Sequence, residues 1–85
     1  METLQRNPNF IFKQIKGESV LLNTKTGDYF GLNEVGTDFF QLVDGVRTSE
    51  QILVELLELY EVEKEVLQRD LEELTAQMIQ KGILG

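Results

Sequence analysis

Residues 28–48 read Asp-Tyr-Phe-Gly-Leu-Asn-Glu-Val-Gly-Thr-Asp-Phe-Phe-Gln-Leu-Val-Asp-Gly-Val-Arg-Thr, and the fold class turns on how this stretch divides. Asp28 to Leu32 has the aromatic and alternating character of a short strand. Asn33 then makes a good N-cap, its side chain able to accept the amide proton of Val35 or Gly36. Val35, Phe39, Leu42 and Val43 follow at helical spacing until Asp44-Gly45 stops the helix. Strand text gives way to helix text at Asn33, so the chain belongs to neither the all-α nor the all-β class.

Working outward, the residues before Asp28 continue as strands and those after Thr48 as helices. Pro8 lies in an Arg6-Asn7-Pro8-Asn9 turn, so residues 1–9 are expected to be a flexible lead-in to a domain of residues 10–85. Phe10–Ile15 and Ser19–Asn23 read as two strands separated by a Lys16-Gly17-Glu18 turn. With Asp28–Leu32, reached through Lys25-Thr26-Gly27, they predict an antiparallel meander. Thr48-Ser49-Glu50-Gln51 fits a capping box, and Ile52, Leu53, Leu56, Leu57 and Tyr60 trace the buried face of a second helix ending near Tyr60-Glu61. The third helix runs from Glu63 to Lys81 with Leu67, Leu71, Leu74 and Met78 on one stripe and Gly82 at its end. A βββααα order follows: an α+β domain of a three-stranded antiparallel sheet followed by three helices. So small a sheet is stable only if the helices cover one of its faces.

Composition excludes much chemistry. The 85 residues include neither Cys nor His, so there is no disulfide framework, thiolate nucleophile or imidazole base. The fifteen acidic residues show no EF-hand spacing, and those at 61–73 alternate with Lys64 and Arg69 as a solvated helix face does. Single turn glycines do not make a phosphate loop. Ser19 and Ser49 lack the Asp-Ser-Leu setting of acyl carriers. Neither a catalytic residue nor a metal or other cofactor site is therefore expected. The longest apolar runs are three residues and no signal peptide precedes them, so a soluble, cytoplasmic protein is expected.

The charge is lopsided. Residues 1–32 carry net +1 and residues 33–85 net −8, the reverse of what a phosphate backbone attracts. The last strand of a meander, by contrast, has a free edge on which an extended peptide can add. Tyr29 and Gly31 should point to one face and Phe30 and Leu32 to the other.

The ordered set Leu21-Leu22-Asn23, Thr26-Gly27, Tyr29-Phe30, Leu32-Asn33, Gly36, Leu42, Asp44-Gly45, Thr48, Ile52, Tyr60, Asp70, Leu74 and Gly82-Ile83-Leu84 resembles the PqqD family over roughly residues 10–84. Those proteins are named for pyrroloquinoline quinone (PQQ) biosynthesis. Their fold is the recognition element for precursors of ribosomally made, post-translationally modified peptides (RiPPs). The resemblance implies a winged-helix-like domain in which the leader of a precursor peptide adds to the third strand beside the third helix. The domain does no chemistry but presents the precursor to a modifying enzyme, such as a radical S-adenosylmethionine protein or, in lasso-peptide systems, a leader peptidase. Carried over, the peptide-binding residues are Asp28, Tyr29, Phe30, Gly31 and Leu32 with Leu67, Asp70, Leu71 and Leu74. Leader side chains are expected to anchor around Tyr29, Leu71 and Leu74. The Asn23–Phe30 hairpin looks more like family members from lasso-type clusters than like the quinone-pathway protein. An open edge also implies a monomer with some tendency to dimerise. The competing reading is a winged-helix DNA-binding regulator. Residues 49–81, which would supply its recognition helix, hold nine acids against three bases.

Overall fold

The structure, a computed structural model, describes residues 3–85. Strands β1 (Phe10–Ile15), β2 (Glu18–Asn23) and β3 (Tyr29–Leu32) precede helices α1 (Glu34–Leu42), α2 (Ser49–Leu59) and α3 (Lys64–Gln80), so the α+β reading holds. The sheet is antiparallel in the order β1-β2-β3. Lys16 and Gly17, both at positive φ, close the first hairpin in the two-residue form whose twist suits antiparallel strands. In the second hairpin Asn23 Oδ1 accepts the amides of Lys25 and Thr26, and Gly27 supplies the left-handed turn at φ 81°.

Register decides which face is buried. Leu21 lies between Phe12 and Phe30, and these three turn toward the helices. Leu22 lies between Ile11 and Tyr29, and all three are exposed on the other face. Phe40 of α1 covers the inner face, stacked with Phe12 at 5.4 Å, while the buried Phe39 lies on the side of α1 toward Leu53 and Leu71. A buried hydroxyl pair, Ser19 with Thr37 at 2.7 Å, ties β2 to α1 while satisfying both polar groups. The helix caps are those the residue types favour. Asn33 Oδ1 accepts the Gly36 amide at 2.8 Å, and Thr48 and Gln51 form the reciprocal capping box.

The N-terminal segment differs from expectation. Met1 and Glu2 lie outside the described residues, but Leu4 sits in the core and Gln5 exchanges two backbone hydrogen bonds with Gly85, of 2.9 and 3.0 Å. Asn7 donates through its amide to Ile83 and through its side chain to Gly82. Arg6 lies over the Phe40 ring, 4.2 Å from its centroid, and donates to the Phe40 carbonyl; burial lowers its pKa, against the raising effect of Asp44. A lone Leu before a proline carries no periodic signal, and the partners that hold this segment come from the other end of the chain. The flexible lead-in expected over residues 1–9 is thus tied down from residue 3 onward.

Candidate functional site: a groove between β3 and α3

The site begins with the backbone of β3. The Asn23 amide donates to the Asp28 carbonyl at 2.8 Å, which identifies that pair as hydrogen-bonded. Bonded and non-bonded pairs alternate along an antiparallel ladder, so Phe30 and Leu32 direct their backbone groups at β2. Tyr29 and Gly31 direct theirs outward. Because β3 ends the sheet, the N–H and C=O of these two residues form an edge that no strand of the described residues takes up.

Beside this edge, on the helix-facing side, lies a groove of about 460 Å³. Its strand wall is Phe30 and Leu32 and its helix wall is the flank of α3 carrying Asp70, Leu74 and Gln77. Leu67 and Leu71 form part of the lining while reaching into the core, at 4% and 7% exposure. Leu74 is half-buried and Asp70 and Gln77 are exposed, so these side chains of α3 border the open space of the groove. Gly36 permits the close approach of α1 to this wall. A Cβ there would lie 3.2 Å from Leu32 Cδ2 and 3.4 Å from Leu74 Cδ2, tighter than most real contacts.

The groove continues past the end of β3 to Val35, Tyr60, Val62 and Val66. Tyr60 donates its hydroxyl to Asp38. Burial, that hydrogen bond and the negative charges of Asp38 and Glu34 push its phenol up to about 12. The described ion pairs lie elsewhere, where Arg47 bridges Asp44 and Glu55 at 2.6 and 2.7 Å. There the Arg47 and Val46 amides, with the Arg47 charge, hold the Asp44 carboxyl below its usual value. Among the described residues no cluster of His, Cys, Asp or Glu is arranged to hold a metal ion. No helix of the described residues is long and apolar enough to cross a membrane.

Of the residues singled out in the sequence, Phe30, Gly31, Leu32, Leu67, Asp70, Leu71 and Leu74 meet at this groove. Tyr29 contributes backbone only. Its ring is 77% exposed on the opposite sheet face, so it cannot share a side-chain pocket with Leu71 and Leu74, as the sequence had suggested. Asp28 stands at the entrance of β3, beside Lys81 and Ile83, in a separate hollow. Asn33, Val35, Tyr60, Val62 and Val66 were missed. A signal existed for Val66, since it lies four residues before Asp70 and eight before Leu74, both already singled out, and so shares their flank of α3. A second apolar cleft, of about 320 Å³, lies on another flank of α3 near Leu4, Leu53 and Ile79, with no strand edge in its lining.

The comparison with known families decides the assignment: the model described as Coenzyme PQQ synthesis protein D (PqqD) matches residues 18–84. The chain belongs to the PqqD family. PqqD-family recognition elements are in general non-catalytic adaptors. One similar solved structure is TbiB1 in complex with the TbiA(beta) leader peptide, 29% identical over 94% of this chain and 93% of that one, with a TM-score of 0.84. Another is lasso peptide synthetase B1 complexed with the leader peptide, 23% identical over 96% of both chains, with a TM-score of 0.83. The heterocyclase TruD contains the same fold in 11% of its length, at 22% identity and a TM-score of 0.66 over 99% of this chain. The latter two likenesses concern the fold alone. No curated protein sequence matches the chain significantly.

Proposed function

We propose that this PqqD-family chain is a non-catalytic adaptor that binds the leader of a ribosomally made precursor peptide by strand addition to β3 and presents it to a modifying enzyme. The observation that carries the reading is the juxtaposition of the outward N–H and C=O groups of Tyr29 and Gly31 with the groove along α3, whose lining mixes apolar side chains with Asn33, Asp70 and Gln77. Backbone pairing supplies affinity common to any extended segment, and side chains entering the groove supply the choice of leader. Ordering a disordered leader costs about 2–5 kcal/mol or more, so pairing alone is insufficient and apolar side chains must be buried against Leu32, Leu71 and Leu74. The leader complex of TbiB1, at 29% identity over nearly the whole chain, supports the same reading.

The enzyme served is a precursor-modifying enzyme such as a radical S-adenosylmethionine protein or a leader peptidase. The protein acts in the cytoplasm, where precursors are made, as a monomer whose edge can pair weakly with a second copy when no leader is bound. No observation favours the DNA-binding alternative.

Titration of the labelled protein with the leader encoded beside its gene, followed by amide chemical shifts, tests the proposal. The largest changes are expected in residues 28–32 and 66–75. Changes concentrated in α2 or β1 would refute this site.

A further inference from the structure

The short connection at 60–63 turns α3 back along α2, and the later part of α3 leaves a cleft against the first turn of α2. Its floor is apolar and buried, formed by Phe39, Leu53, Leu71 and, from the tied-down N-terminal segment, Leu4. On the α3 wall Ala76 and Ile79 are exposed, Ile79 by 49%. The groove beside β3 takes Asp70, Leu74 and Gln77 from this helix, whereas the cleft takes Gln68, Glu72, Ala76 and Ile79. At about 3.6 residues per turn the two sets lie roughly half a turn apart, on either side of the buried Leu67, Leu71 and Met78. A leader paired with β3 therefore leaves the cleft open.

Two features decide what fits there. No strand edge borders the cleft, so an extended segment lying in it would leave its backbone groups unpaired, whereas a helix satisfies its own. From Gln68 to Ile79 the α3 wall runs about 16 Å, enough to lie against about three turns of a second helix. The rim is acidic. Glu50 stands on the α2 side and Glu72 on the α3 side, both exposed, and no base is among the lining residues, within a part of the chain, 33–85, that carries net −8. Lys or Arg beside the apolar face of an entering helix would meet opposite charge on both walls.

We infer that this cleft docks a basic amphipathic helix of a partner protein, its apolar face on Leu53, Ala76 and Ile79 and its flanking Lys or Arg against Glu50 and Glu72. The inference goes beyond the leader site and does not depend on it. Leader and partner helix are then held at the same time on opposite flanks of α3, and neither takes the other's surface. Burial of the apolar face supplies the hold, and the charged rim steers the approach.

A displayed library of 18-residue peptides on an Ala-rich helical frame, selected on the intact protein, tests this. The expected winners share one apolar stripe bordered by Lys or Arg. Ala76→Gln with Ile79→Gln, both exposed and both good helix formers, should leave the melting midpoint unchanged and weaken the best winner about tenfold. Glu50→Lys with Glu72→Lys should also weaken it, and exchanging its basic positions for Glu should restore binding to that variant alone. Saturation with the leader encoded beside the gene should leave its affinity unchanged. Winners without basic positions, winners indifferent to the Gln variant, or no winners at all would overturn the inference. Winners displaced by the leader or lost on Gly31→Pro would belong to the strand edge, refuting the cleft while strand addition stands. A leader that failed to bind, with winners still seated on Ala76 and Ile79, would refute strand addition and leave the cleft. A Gln variant that altered only self-association would assign the cleft to a second copy, and winners that bound only after residues 1 and 2 were removed would assign it to the chain's own N-terminus; either would refute the partner helix.

Discussion

β1 and β3 are the two outer strands of one sheet, yet their free edges differ in what lies beside them. The Thr24 amide donates to Asn9 at 2.9 Å, and the ladder continued from that bond turns the backbone groups of Phe10, Phe12 and Gln14 outward on β1. That strand carries Lys13, and its Gln14 side chain accepts from Gln41 at 2.9 Å. Charge on an edge discourages pairing with other chains. β3 has no charged side chain, and the α3 groove runs beside it. An open edge is thus only half of a peptide site. On the proposed reading the other half is a groove whose apolar side chains repay the ordering of the peptide, and β3 has such a groove along its flank.

The largest effect is expected from opening a cavity in the helical core on which the sheet rests. Phe39 is 2% exposed and packs toward α2 and α3, beside Leu53 and Leu71, so Phe39→Ala should cost about 3–5 kcal/mol and lower the denaturation midpoint of the whole domain. A midpoint equal to that of the wild type would show that Phe39 is not buried in the folded protein.

A matched pair of prolines then separates the edges. Gly31→Pro removes an outward amide from β3 and should reduce leader binding at least about tenfold, since backbone pairing is lost there. Gln14→Pro removes an outward amide from β1 and should leave leader binding unchanged. Proline is tolerated on an edge strand when its missing N–H faces solvent, so both variants should fold. Equal loss of binding in the two would abolish the distinction drawn between the strands.

Tyr60 sharpens the comparison through pH. Its phenol is held protonated in the folded state up to about 12, above the unfolded value near 10. The stabilisation is therefore complete below pH about 10 and is lost as pH rises toward about 12. Tyr60→Phe should remove that part of the alkaline stability loss, and urea melts of both proteins across this range would measure the difference. Parallel curves would show that the Asp38 hydrogen bond does not persist in solution.

The smallest effect concerns Asp70. Asp70→Asn should weaken a basic leader by less than about 1 kcal/mol at low salt and by almost nothing at high salt, because this carboxylate is exposed. An effect independent of salt would point to a specific hydrogen bond rather than a field.

Much of the architecture was legible in the chain because local rules decided it. Asn33 and the Thr48–Gln51 box cap the helices they were expected to cap, and alternation assigned Tyr29 and Leu32 to opposite faces of the sheet. These are relations between residues within a few positions of each other, set by backbone geometry and by the period of side chains. The fate of Leu4 was not legible, since its surroundings come from residues far along the chain. The inner side of α3 could be divided from its groove side only after packing. A helix stripe states which residues are apolar, whereas the angle at which α1, at Gly36, lets α3 approach Leu32 decides that Leu67 and Leu71 are largely buried while Leu74, Asp70 and Val66 border open space. Sequence determined that β3 would be an edge. Only the tertiary structure decided that this edge has a groove, because a groove is the gap left between two surfaces that the sequence specifies separately.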